Sequence, residues 1–142
     1  MMIKRAISVY LALVAIGLAV QFTTWTIYAQ ASQRARDAAG AVWDVIGWSM
    51  LAGLVLTLVV TYQEKQRRDA GTSTSTRQWL SANRLFYAAL VLTLAFMPNW
   101  FASRWGEPPN EATFWMVWYV IDTVTPVVFG VTAIRLWRTA SD

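Results

Sequence analysis

The sequence predicts an all-α integral membrane protein: a small up-down bundle of four transmembrane helices with both termini in the cytoplasm. Three observations lead there. Hydrophobic residues make up 56% of the 142-residue chain and charged residues 14%, against roughly 25% charged in an average soluble domain. The charges are clustered, leaving four long apolar runs between them. The basic residues flank those runs, a pattern of membrane topology and not of a nucleic-acid-binding patch. A soluble fold of this size has too little interior for so much apolar surface, whereas a bilayer accepts it unburied. Residues 1–142 read as one membrane domain.

The first run, 6–29, follows Lys4 and Arg5, and its 24 residues, at about 1.5 Å each, cover a hydrocarbon core of roughly 30 Å. A basic start and the triplet Ala29-Gln30-Ala31 also fit a secretory signal peptide. The apolar stretch is long for one, so an uncleaved helix is expected. The polar segment 30–40 leads to the second run, 41–62, in which only Asp44 is charged. Segment 63–84 holds Glu64, Lys65, Arg67, Arg68, Asp69, Arg77 and Arg84 around a Gly/Ser/Thr tract at 71–76. That composition predicts a flexible cytoplasmic loop.

The third span, 85–103, meets Pro98 after only 13 apolar residues, too few to cross. The helix either continues through a kink at Pro98 or starts earlier, near Trp79. Residues 98–105 are apolar enough to lie in the interface plane. Gly106, Pro108, Pro109 and Asn110 mark a break, with Asn110 suited to cap the next helix and Glu111 to its first turn. The fourth run, 113–137, ends among Arg135 and Arg138. The N-terminus, the 63–84 segment and the C-terminus hold nine of the twelve basic residues, and Arg34, Arg36 and Arg104 are the other three. This asymmetry predicts N-in, C-in insertion in a cytoplasmic (inner) membrane.

The chain has no cysteine and no histidine. Disulfides, thiol nucleophiles, Ser-His-Asp triads, tetrahedral zinc, iron–sulfur clusters and haem held by His or Cys therefore lack their groups. The five methionines are scattered singly, a poor copper site. No phosphate-binding glycine loop or nucleophile elbow occurs. Small multidrug exporters need an acidic residue in the first helix and haem-anchoring subunits need histidine, and both are missing here. The sequence predicts no enzyme activity, no metal and no cofactor, with bound lipid as the compatible non-protein component.

Nine tryptophans are the compositional outlier. Trp25, Trp43, Trp48, Trp100, Trp105, Trp115 and Trp118 fall on the expected outer side. An interfacial belt explains some of them, but the one-sided excess suggests an aromatic surface for a lipid, a hydrophobic molecule or a partner. Asp122 lies near the middle of the fourth run, where a charge costs about 2.5–3.5 kcal/mol on insertion scales. It should face the bundle. Pro126, four residues on, frees the Asp122 carbonyl, and Thr123 and Thr125 add hydroxyls nearby. The cluster suits a cation, a proton or a partner's polar group. Alternatively, Asp122 hydrogen-bonds to Gln21 or Thr24 as ordinary interhelical glue. Asp44 reads as an interfacial charge at a helix start.

Small residues form two seams suited to close helix approach: Ser49, Gly53, Thr57 and Thr61 on the second helix, and Ser8, Ala12, Ala15, Ala19, Thr23 and Thr26 on the first. Together these features predict a non-catalytic accessory or scaffolding subunit of a larger membrane assembly, a redox or monooxygenase complex being one setting. Its partners would be other membrane subunits in a hetero-oligomer and the lipid bilayer, not nucleic acid. A small transporter or channel-forming oligomer using Asp122 and Pro126, and a binder of hydrophobic ligands using the outer tryptophans, are the alternatives.

Overall fold

The computed structural model describes residues 2–28, 31–70, 76–106 and 110–140, without the side chains of residues 26, 77, 78, 81 and 82. Ala29 and Gln30 of the cleavage-like triplet, the 71–75 tract, Pro108, Pro109 and the Thr26 side chain fall outside that description. Four helices make up the described chain: α1 (Met2–Tyr28), α2 (Gln33–Asp69), α3 (Thr76–Trp105) and α4 (Glu111–Thr139). All four are long and apolar enough to cross a membrane, and the described residues contain no strand.

The helices outrun the apolar runs. Segment 30–40 is not a loop from end to end: Ser32 caps α2, its side chain accepting from the Ala35 amide. Gln33, Arg34, Ala35 and Arg36 favour helix, and Gln33 donates to Asp37 one turn on, at 3.0 Å. At the other end α2 continues to Asp69 on the i,i+4 pairs Lys65–Asp69 (2.7 Å) and Glu64–Arg68 (2.6 Å). Helix thus covers residues 63–69 and 76–84 of the expected 63–84 loop. Polarity ends a membrane span, but it does not end a helix. The third helix both starts before Trp79 and continues past the proline: α3 starts at Thr76 and passes through Pro98 to Trp105. Residues 98–105 are therefore the last turns of α3 and not a separate interfacial segment. Asn110 caps α4 as expected, accepting from the Thr113 amide at 3.0 Å.

Each helix packs on its sequence neighbours, and α1 returns to α4 to close the ring. α1–α4 is the most extensive interface, and α2 and α4 also meet across the middle. One end gathers the tryptophans, the other the basic residues. At the basic end Trp79 Nε1 donates to Asp69 (3.0 Å), joining the start of α3 to the end of α2. Arg5 lies over the Trp137 ring at 5.8 Å. Along α1, Ser8 is buried and donates to the Ala133 carbonyl of α4 at 2.6 Å, and Tyr10 donates to the Ser49 carbonyl of α2 at 2.8 Å. Ser8→Ala is expected to lower stability by about 1 kcal/mol, read as earlier loss of helical circular dichroism on heating in detergent.

The seam on α2 is used inside the chain. Gly53 faces Phe129 of α4 so closely that a Cβ would come within 2.7 Å of the ring, and Leu11 of α1 lies 3.5 Å away. Thr57 and Thr61 are buried, as is Ala15 on α1, whereas Ala12 and Ala19 are half-buried. Phe129, Leu11 and Leu54 are fully buried and fill the bundle at this level. Outside, Leu13, Ile16, Val91, Leu94 and Val127 are all more than 60% exposed, an apolar outer surface of the kind that marks contact with lipid or with a partner.

Candidate functional site

At the Trp-rich end all four helices line a cavity of about 490 Å³, within the usual range for small-molecule sites. α1 contributes Phe22 and Trp25, and α2 contributes Gly40, Trp43, Asp44, Gly47 and Met50. α3 contributes Trp100, Ser103 and Arg104, while α4 supplies Phe114, Trp115, Trp118, Tyr119 and Asp122. Eight of these fifteen residues are aromatic, so the tryptophan excess lines an interior as well as decorating a surface.

The walls are held by edge-to-face contacts, the arrangement that ring quadrupoles favour. Trp25 meets Trp43 at 6.4 Å between centroids, Phe22 meets Tyr119 at 6.3 Å, and Phe114 meets Trp118 at 6.2 Å. Phe96, fully buried behind the wall, packs on Trp118 at 5.7 Å and stacks on Trp100 at 6.0 Å. Trp100 is seated on Gly47: a Cβ there would come within 3.0 Å of its Nε1. Gly47 was not singled out by the small-residue spacing, because its partner lies 53 positions away in sequence.

Arg104 tightens the mouth. It pairs with Asp44 at 2.9 Å, and its guanidinium lies 5.5 Å from the Trp100 centroid and 5.9 Å from that of Trp48. This corrects the reading of Asp44 as a helix-start charge: α2 begins at Gln33, and Asp44 is a cross-helix partner for α3. The pair is largely exposed on the Asp44 side, at 66%, so by itself it contributes little stability.

Asp122 forms the floor. It lies 11 residues into α4, about 16 Å along the helix axis from its start. It is 8% exposed, and its Oδ1 has no hydrogen-bond partner among the described residues. No salt bridge reaches it among those residues. Gln21 is buried at 7% exposure with Nε2 unpartnered, and Thr125 is fully buried with Oγ1 unpartnered.

The rest of the expected polar cluster does not assemble. Thr123 is exposed and donates to the Tyr119 carbonyl at 2.7 Å, and Thr24 donates to the Val20 carbonyl at 2.6 Å. Neither hydroxyl donates to Asp122. A residue one step along a helix is rotated about 100°, whereas one three steps along returns to the same face, so Thr125 and not Thr123 belongs with Asp122. Pro126 does not break α4, which runs unbroken to Thr139; it removes only the amide that would have bonded the Asp122 carbonyl.

Among the expected outer tryptophans, Trp25, Trp43, Trp100, Trp115 and Trp118 line the cavity. Trp48 and Trp105 do not, and are 53% and 66% exposed. Among the described residues no group of three or more metal-ligating carboxylates occurs. Comparison with models of known families, with curated proteins and with solved structures finds no match. The functional reading therefore rests on the cavity itself.

Proposed function

We propose that this chain is a membrane-embedded binding protein that takes a hydrophobic small molecule into the aromatic cavity from the outer leaflet. The bundle would sit N-in and C-in, with the basic end cytoplasmic and the cavity opening outward. The observation that carries the reading is the burial of Trp100 in the wall of an aromatic-lined cavity. A belt places indoles at the lipid–water boundary; it accounts for Trp48 and Trp105 but not for Trp100, which is 4% exposed and walls a space of ligand size. Phe129 on Gly53 closes the bundle beyond the floor, so the ligand would enter and leave at the Trp-rich end.

The role of non-catalytic accessory subunit draws less support from the geometry. Its α2 seam is satisfied within the chain by Phe129 and Leu11, leaving no small-residue groove there for another helix. A transporter would need Phe129 to leave Gly53 so that the cavity could open at the basic end.

The test is direct. N-phenyl-1-naphthylamine, a neutral hydrophobic fluorophore excited by energy transfer from tryptophan, is titrated into the protein in lipid nanodiscs, with empty nanodiscs subtracted. The expected result is saturable transfer at one probe per chain. Transfer that rises without saturation, as lipid partitioning alone gives, would remove the proposal.

A further inference from the structure

The acidic and basic residues of the cavity lining do not balance. Asp44 and Arg104 neutralise each other at the mouth. Asp122 adds a second carboxylate with no basic partner, so two acids against one guanidinium leave the lining with a formal charge of −1. The position of that charge matters. It is buried, its Oδ1 is unpartnered among the described residues, and it lies at the bottom of a space walled by aromatic rings. Trp118 and Tyr119 precede it on α4 by four and three residues, which places them one turn above on the same helix face. Trp43, Trp100 and Phe22 close the other sides. Ring faces attract cations, tryptophan most strongly, and the attraction grows as water is excluded. An anion would meet Asp122 head-on. A neutral molecule without a hydrogen-bond donor would leave Oδ1 unsatisfied, and an unpaired polar group in a dry site weakens binding.

We propose that the ligand is a lipophilic organic monocation, its charge seated against the Asp122 carboxylate and its apolar groups filling the indole and phenyl walls. This assignment rests on the cavity being a ligand site, and it adds the sign of the ligand's charge and the residue that reads it. Met50, also in the lining, supplies a soft, adaptable contact suited to apolar groups of varied shape.

Tetraphenylphosphonium and tetraphenylborate have nearly the same size and shape and opposite charge. Retention of each radiolabelled ion is measured on the full chain in nanodiscs, with the signal of protein-free nanodiscs subtracted. The expected result is saturable binding of the phosphonium at least about tenfold tighter than of the borate, a ratio worth ~1.4 kcal/mol. In Asp122→Asn the ratio should fall to near parity, and in Asp122→Glu, which keeps the charge, the preference for phosphonium should return. Helical circular dichroism and size-exclusion behaviour establish that each variant is folded. Equal retention of the two ions by the unaltered chain, or a preference that survives Asp122→Asn, would overturn the charge assignment while leaving a hydrophobic-ligand site intact. If neither ion binds saturably the monocation proposal is overturned; the neutral fluorophore then shows whether the cavity reading falls with it.

Discussion

Phe129→Ala is expected to be the most damaging single substitution in the bundle, lowering stability by about 3 kcal/mol. Phe129 is fully buried and occupies space that exists only because residue 53 has no side chain. Truncating a buried phenylalanine costs about 3–5 kcal/mol in water-soluble cores. In a bilayer the lower end would apply, because lipid is as apolar as the residues it faces and packing is then the main term. The reverse substitution tests the same contact. Gly53→Ala would drive a Cβ to 2.7 Å from the ring, an overlap that costs about 1–3 kcal/mol unless α2 and α4 separate. The double variant Gly53→Ala/Phe129→Ala should recover part of the loss, giving a coupling energy of about 1 kcal/mol or more. Thermal unfolding in one detergent, followed by circular dichroism, reads all four proteins. Additive losses would mean that the two residues do not touch.

Trp118→Ala should weaken binding of N-phenyl-1-naphthylamine about tenfold, the scale of a desolvated aromatic anchor at a binding site. Trp118 is half-buried, lines the cavity, and is braced by Phe96 at 5.7 Å and Phe114 at 6.2 Å. Removing it enlarges the cavity and deletes a wall next to the floor. Trp105→Ala should leave affinity unchanged, because Trp105 is 66% exposed and outside the lining. A nonspecific aromatic surface makes the opposite prediction, in which the more exposed indole matters more. The fluorescence titration separates the two without knowledge of the natural ligand.

What was legible in the sequence follows from the range of each interaction. The four helices, the Asn110 cap and the clustering of tryptophans at one end depend on local pattern, and the structure has them. The helices extend into 30–40 and 63–84 because charge marks where a lipid-suited run stops, whereas the backbone stops only at a true breaker. Helical periodicity already separates Thr123 from Asp122. The cavity was not readable. It needs Gly47 beneath Trp100, Arg104 against Asp44 and Phe96 behind Trp118. Each of these pairs joins different helices, at sequence separations that no single-sequence periodicity encodes.

The central claim is that lipid surrounds this bundle and that its aromatic cavity opens at the outer face. Because the chain has no cysteine, a single introduced thiol reports this cleanly. Ser103→Cys places a thiol in the cavity lining, and Gln66→Cys places one on the exposed surface of the basic end of α2. With a membrane-impermeant maleimide on intact cells, Cys at 103 should label from outside and be slowed by N-phenyl-1-naphthylamine, while Cys at 66 should label only after permeabilisation. Labelling at 66 but not at 103 from outside, or labelling at 103 that the fluorophore does not slow, would contradict the account.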